Sequence, residues 1–344
     1  MEDQMETESG SNVQATKILN SAEQGKLWAT YMGNSMATCV LSYMLHHVED
    51  GQIKKVLEDA LGLAQQLVNN IKDIYTREKY PIPVGYTEED VNLQAPRLFV
   101  DEFYLHYLRY TSKAGISIYG IALPLMVRSD LRTFFTDCLN STIQLINQVN
   151  DLMIAKGIIE EASYIPYPSQ VDFVQKQSYL NGLFGDVRPL QAMEITHLFD
   201  NIENLATSKA ILIGFSQVAK LDQVKAFFVR GKELAAKHFT IFSELLQEDN
   251  LTSRTIMDPL VTTSTISPFS DKIMLSHKLD MFSMRVRTYA NGLSFSARHD
   301  LAALYGRLLL EIGNYVEDCA NIMIDHGWLE QAPQAADREA LVKA

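Results

Sequence analysis

Residues 128–131 read Arg128-Ser129-Asp130-Leu131, and 170 residues later the chain reads Arg298-His299-Asp300-Leu301. The same offset carries Phe99 and Asp101 to Phe269 and Asp271, and Tyr119 and Leu123 to Tyr289 and Leu293. It carries Met153-Ile154 and Gly157 to Met323-Ile324 and Gly327, and Glu160 and Ala162 to Glu330 and Ala332. An offset held constant over so long a stretch marks a duplicated folding unit. The fold is that of one unit, read twice.

Working outward from these anchors, apolar residues recur at helical spacing. In copy one, helices are expected from Ser21 to about Val48, from about Gln52 to Glu78, from about Arg97 to Arg128, and from there to Gly157. Ser129 or Asp130 is the expected cap of the fourth helix. Gly157 supplies the left-handed turn that ends it. Copy two repeats the plan near 190–219, 222–247, 269–298 and 300–326, with Asp222 as a cap and Gly327 as a stop. Short links join the first helix to the second and the third to the fourth, so each pair is an antiparallel hairpin. The middle connection is long in both copies. It carries Pro81, Pro83 and Pro96 in the first, and Pro259 and Pro268 in the second.

This pattern predicts an all-α protein of two tandem ferritin-like four-helix bundles, each with one long crossover between helices 2 and 3. The expected divisions are a disordered acidic tail over 1–16, copy one over 17–165, a linker over 166–189, copy two over 190–335 and a C-terminal tail over 336–344. Phe173, Tyr179, Leu180, Leu183 and Phe184 make the linker too apolar for a free tether, so it is expected to pack across the bundles.

The chain has 344 residues, 47% of them hydrophobic, enough for two cores. Its net charge of −12 repels phosphate backbones, so no nucleic-acid partner is expected. Cys39, Cys138 and Cys319 are odd in number and unrelated by the repeat, which argues for reduced, packed thiols. The acidic start lacks the pattern of a secretory signal, and no apolar run is long enough to span a membrane. A cytoplasmic protein is expected.

The runs Tyr80-Pro-Ile-Pro-Val-Gly-Tyr86, Val91-Asn-Leu-Gln-Ala-Pro-Arg-Leu-Phe99, Gly214-Phe-Ser-Gln-Val-Ala219 and Asp318-Cys-Ala-Asn-Ile-Met-Ile-Asp-His-Gly-Trp328 carry a resemblance. They resemble a family from spore-forming Gram-positive bacteria, domain-of-unknown-function family 3231. The resemblance covers nearly the whole chain, from about residue 17. It implies two tandem ferritin-like bundles and a link by similarity to spore coat proteins. It implies no activity and no functional residues.

Ferritin-like di-iron sites use inward Glu and Glu-x-x-His ligands. The chain has a single Glu-x-x-His, Glu194-Ile195-Thr196-His197, read as a solvated helix start. His238 falls within the apolar face Phe227, Leu234, Ile241, Phe242 and Leu245. His277 shares a face with Ile273, Met281, Met284 and Phe295. Two inward imidazoles can bind a transition metal, or can be core histidines with hydrogen-bond partners. Asp280 is the one carboxylate near them, while Glu311 and Asp318 point to solvent. In copy one these positions are Leu67 and Tyr107, so copy one reads as a plain core.

Other chemistry is poorly supported. Cys39 lies too far from His46 for a nucleophile–base pair, and there is no Gly-rich phosphate loop. A second apolar stripe on the third helix of copy two (Leu275, Leu279, Phe282, Val286, Tyr289, Leu293) is read as contact with the other bundle or as a subunit interface.

The leading functional expectation is a non-enzymatic structural or interaction protein, spore- or coat-associated, with a coat protein or a second copy as partner. The alternative is a metal-binding or oxidase-like protein using His238 and His277. A third reading is a small apolar ligand held inside a bundle.

Overall fold

The computed structural model describes residues 18–343, so the expected tail over 1–16 lies outside the described residues. Copy one supplies α1 (Ser21–His47), α2 (Gly51–Glu78), α3 (Asp101–Ala122) and α4 (Ser129–Ala155). Copy two supplies α5 (Ala192–Val218), α6 (Asp222–Glu248), α7 (Asp271–Phe295) and α8 (His299–Asp325). A short α9 (Arg338–Lys343) lies within the expected C-terminal tail. Among the described residues the regular structure is all helical apart from isolated bridges, and the helices repeat in tandem. Among the described residues no helix is long and apolar enough to cross a membrane.

Buried carboxylates set the corners of each copy. Glu23 closes a capping box with Asn20 at the start of α1. Its other oxygen accepts the backbone N–H groups of Val127 and Arg128, at 3.1 and 3.0 Å, and so pins the turn that leads into α4. Glu194 does the same for Ala297 and Arg298 ahead of α8. Asp101 takes the N–H groups of Glu49 and Asp50 in the α1–α2 turn, and Asp271 those of Lys220 and Leu221 in the α5–α6 turn.

These bonds correct three expectations. Ser129 and Asp130 do not cap α4: the helix begins at Ser129, with Arg128 at the cap position and no side-chain cap bond, and Arg128 holds Asp130 through two bonds. Asp222 does not cap α6, whose turn is served by Asp271. Glu194 is not solvated, since it also accepts two bonds from Arg188. The expected glycine stops are present, with φ of 67° at Gly157 and 66° at Gly327.

The two copies face each other across a pseudo-two-fold axis, and their crossovers exchange backbone bonds across it. Asn92 N–H donates to Pro268 O at 2.7 Å, and Thr262 N–H donates to Leu98 O at 2.9 Å. Ser270 N–H donates to Asp90 O, and Val100 N–H to Leu260 O, each at 3.0 Å. Every pair maps onto its mate when 170 is added to one residue and subtracted from the other. The isolated bridges Val91–Phe269 and Phe99–Val261 obey the same rule. Each long connection is therefore tied to the start of the third helix in the opposite copy. Such an isologous contact is the kind that joins the subunits of a symmetric dimer.

One hydrophobic core runs through copy two, across the axis and into the near end of copy one. A second, smaller cluster around Leu27, Leu67, Ile71, Phe135 and Cys138 fills the far end of copy one. The linker does not pack as expected. Phe173 is 75% exposed and Phe184 87% exposed, while Tyr179 is half-buried beneath the Arg188 guanidinium. Arg188 is fixed by Glu194, so the linker is held at its end rather than along its length.

Candidate functional site

His238 and His277 are both buried, but the structure gives them different surroundings. On α6, His238 lies 3.0 Å from Tyr289 Oη through Nδ1 and 3.0 Å from Glu311 Oε2 through Nε2. The carboxylate accepts, so Nε2 carries the proton and Nδ1 accepts from the tyrosine. Glu311 therefore does not point away to solvent: it bends back and also takes Lys237. Burial is the main cause that lowers His238 to about 4, against the opposing pull of Glu311. His277, on α7, meets Tyr107 Oη at 2.9 Å through Nε2, and burial lowers it to about 3.

The two imidazoles share no hydrogen-bond partner. Both ring nitrogens of His238 are engaged, and Tyr107 comes from the other copy. Among the described residues no group of three or more His, Cys, Asp or Glu side chains is gathered as a metal set. His197 stacks on Phe295 instead of joining Glu194 in a ligand pair. The donors present do not fit a metal centre, which needs several convergent ligands.

Copy one is not a plain core. Where its hydrophobic core divides, a cavity of about 140 Å³ opens between α1, α2, α3, α4 and the flank of α7. Small residues make the room: Gly33, Ala37, Ala60, Ala64, Ser112, Ala114 and Gly115 all line it. Leu41, Leu63, Leu67, Leu108 and Leu145 supply apolar wall. Three wall residues carry a buried polar atom without a protein partner: Thr30 Oγ1, Ser112 Oγ and His277 Nδ1.

Copy two fills the corresponding space. The repeat places Phe282 at the position of Ser112, Met284 at Ala114, Arg285 at Gly115, Lys278 at Leu108 and Tyr315 at Leu145. Lys278 and Arg285 are buried and both donate to Ser208 Oγ, at 2.7 and 2.6 Å. Burial, and then the charge of Arg285, lowers the Lys278 ammonium well below its ordinary value. Tyr315 reaches over Gly231 to donate to Phe227 O at 2.6 Å. A Cβ at position 231 would lie 2.1 Å from that hydroxyl, so only glycine fits.

A groove of about 220 Å³ between α1 and α7 shares Ala29, Gly33, Met36 and Asp280 with the cavity. Its outer wall holds Trp28, Tyr86 and Trp328. Asp280 is exposed and lines both the cavity and the groove. Among the described residues it has no hydrogen-bond or ion-pair partner.

The two-fold mate of this groove, between α5 and α3, is sealed. Arg109 and Lys113 pair with Glu203 at 2.7 and 3.0 Å, and Lys113 also takes Asp200 at 2.7 Å. Arg254 joins from the crossover at 2.9 Å. Burial raises the Glu203 carboxyl, but Lys113, Arg254 and Arg109 outweigh it and hold it at about 2. The first helices of the copies align at an offset of 171, as the capping-box residues Glu23 and Glu194 show, so at the open groove the positions of Asp200, Glu203, Arg109 and Lys113 are Ala29, Met32, Leu279 and Ser283. The position of Asp280 is Tyr110, whose hydroxyl donates to Met281 O at 3.0 Å.

Sequence reasoning set His238 and His277 forward and passed over Asp280 and the copy-one cavity. The signal was present in the paired positions, since Ser112 against Phe282 and Gly115 against Arg285 announce unequal interiors. No curated protein and no solved structure matches the chain. The family model described as "Protein of unknown function (DUF3231)" matches it twice, over residues 8–171 and 178–341. Those spans are themselves 170 residues apart and enclose both copies, and the chain belongs to that family.

Proposed function

We propose that the protein is a small-molecule binder, with copy one as the receptacle for a mainly apolar ligand and copy two as its filled, rigid counterpart. The observation that carries this reading is the paired difference in packing. The same scaffold position is hollow in one copy and occupied by Phe282, Arg285 and Tyr315 in the other. An apolar cavity of about 150 Å³ is large enough to hold benzene, and the cavity here is of that order. The ferritin-like bundle pair is the architecture that goes with this reading. It is supported by two hairpins per copy and a long middle connection.

The test is binding of benzene and hexan-1-ol, read as a rise in the thermal midpoint with ligand concentration. Gly33→Leu adds a side chain where a Cβ meets nothing within 4 Å. It is expected to leave the protein folded and abolish the rise. Ser112→Phe with Ala114→Met, which copies the residues of copy two, is expected to do the same. A midpoint that neither probe moves in the unaltered protein overturns the reading.

A second reading, a structural or interaction role that includes the spore coat, is supported by the exposed apolar residues of the linker. Val171, Phe173 and Phe184 stand uncovered. Analytical ultracentrifugation of the unaltered chain and of Phe173→Ser/Phe184→Ser tests it. A protein that is monomeric in both forms counts against self-assembly through the linker.

A further inference from the structure

The cavity of copy one is walled by more than alkyl groups. Part of its polar wall is engaged within the protein: Thr111 donates to Tyr107 O at 3.1 Å, Thr142 to Cys138 O at 2.7 Å and Tyr110 to Met281 O at 3.0 Å. Three polar atoms of the wall are not engaged. Thr30 Oγ1 on α1, Ser112 Oγ on α3 and His277 Nδ1 on α7 have no partner among the described residues. These residues are only 2%, 3% and 4% exposed, so bulk water does not serve them. A buried polar group left unpaired costs about 1–3 kcal/mol.

His277 is the anchor of the set, because its proton can be placed by counting bonds. Burial lowers it to about 3, so the ring is neutral and carries one proton. Tyr107 Oη lies 2.9 Å from Nε2. If Nε2 held the proton, Tyr107 would accept, and both its own O–H and His277 Nδ1 would stay unpaired. If Tyr107 donates to Nε2, Nδ1–H alone is left over. The second arrangement leaves one group unpaired instead of two, so Tyr107 fixes the proton on Nδ1. One turn further along the same face of α7, Asp280 and Met281 also line the cavity.

An N–H group can only donate, and the partner it lacks is an acceptor. The hydroxyls of Ser112 and Thr30 add two protons without acceptors. An alcohol would bring one more proton to be placed, whereas a carbonyl oxygen brings two lone pairs and no proton. No lysine or arginine of the described residues lines the cavity, and Asp280 does, so a carboxylate would meet like charge.

We propose that the ligand of copy one is a small aliphatic carbonyl compound, whose oxygen accepts from His277 Nδ1–H while its alkyl body fills the cavity. This rests on the receptacle reading above and adds the polar group that the ligand carries.

Two probes of similar shape separate the two ideas: cyclopentanone and cyclopentane, each titrated against the full chain. Cyclopentane tests the receptacle alone. Histidine side-chain 15N–1H spectra of the ligand-free protein should show His277 protonated on Nδ1. Cyclopentanone should move that N–H signal downfield, and cyclopentane should not. The C=O stretch of bound cyclopentanone should lie below its position in an alkane solvent. Tyr107→Phe/His277→Phe removes the donor and its partner together, so neither is left behind unpaired. It should weaken cyclopentanone about tenfold, return the C=O stretch to its alkane position and leave cyclopentane unchanged. Protonation of His277 on Nε2, a C=O stretch at the alkane position in the unaltered protein, or a cyclopentanone affinity that survives the double substitution overturns the carbonyl assignment and leaves the receptacle standing. Failure of both probes to bind overturns both.

Discussion

Tyr107 and His277 hold the same place in the two copies, and they are hydrogen-bonded to each other at 2.9 Å. A residue can meet its own counterpart only on the axis that relates the copies. The contact is polar and buried, and the other nitrogen of His277 has no partner. Tyr107→Phe should therefore leave the imidazole wholly unpaired and cost about 1–3 kcal/mol. Adding His277→Phe should recover part of that loss, and urea unfolding of the two single mutants and the double mutant measures the coupling.

The burial of His238 makes stability depend on pH in a defined window. Its folded value is about 4 and its ordinary value 6.5. Between these values the unfolded chain binds a proton that the folded chain refuses, so stability falls as pH falls from 6.5 towards 4. Above 6.5 the group has no effect, and below 4 its effect is constant. The loss from this residue amounts to about 3 kcal/mol. His238→Gln keeps a donor and an acceptor but does not titrate, and its stability–pH curve should be flatter across that window than that of the unaltered protein.

Glu203 holds three cations from two copies, and Arg254 among them is buried. Removing one member of a buried ionic group leaves the rest uncompensated. Glu203→Gln is expected to cost about 3–5 kcal/mol by chemical denaturation. The loss should change little with added salt, since buried pairs are poorly screened.

Glycine to alanine should act with opposite sign in the two copies. Gly33 has open space around a new Cβ, and the substitution removes helix-unfavourable glycine, for a gain of up to about 1 kcal/mol. Gly231 meets Tyr315, so the substitution there should cost about 1–3 kcal/mol through overpacking. Thermal midpoints of the two variants check both signs at once.

The helices and the duplication were legible because they are written in local terms. Gly157 and Gly327 end their helices as the repeat says they must. The corners that lead into the helices were not legible because their donors and acceptors come from far along the chain. Nothing near Ser129 announces that Glu23 will take the N–H of Arg128. The same limit applies to the histidines: a helical wheel places His277 on an inner face but cannot tell that Tyr107 of the other copy lies opposite. The cavity was hidden for a different reason. A hollow is made of what is missing, and small residues such as Gly33 and Ser112 carry no pattern until each is compared with its repeat partner.

The reciprocal backbone bonds between the crossovers have an evolutionary consequence. Asn92 with Pro268 and Thr262 with Leu98 are one contact made twice, as two identical chains would make it. In such a homodimer every change is obeyed by both subunits, so two grooves must open together or close together. Joining the genes end to end releases that constraint. One half can then take on Arg109, Lys113 and Glu203 as a permanent seam, while the other loses those charges and hollows out. A single chain that carries both copies can therefore close one groove while its mate stays open.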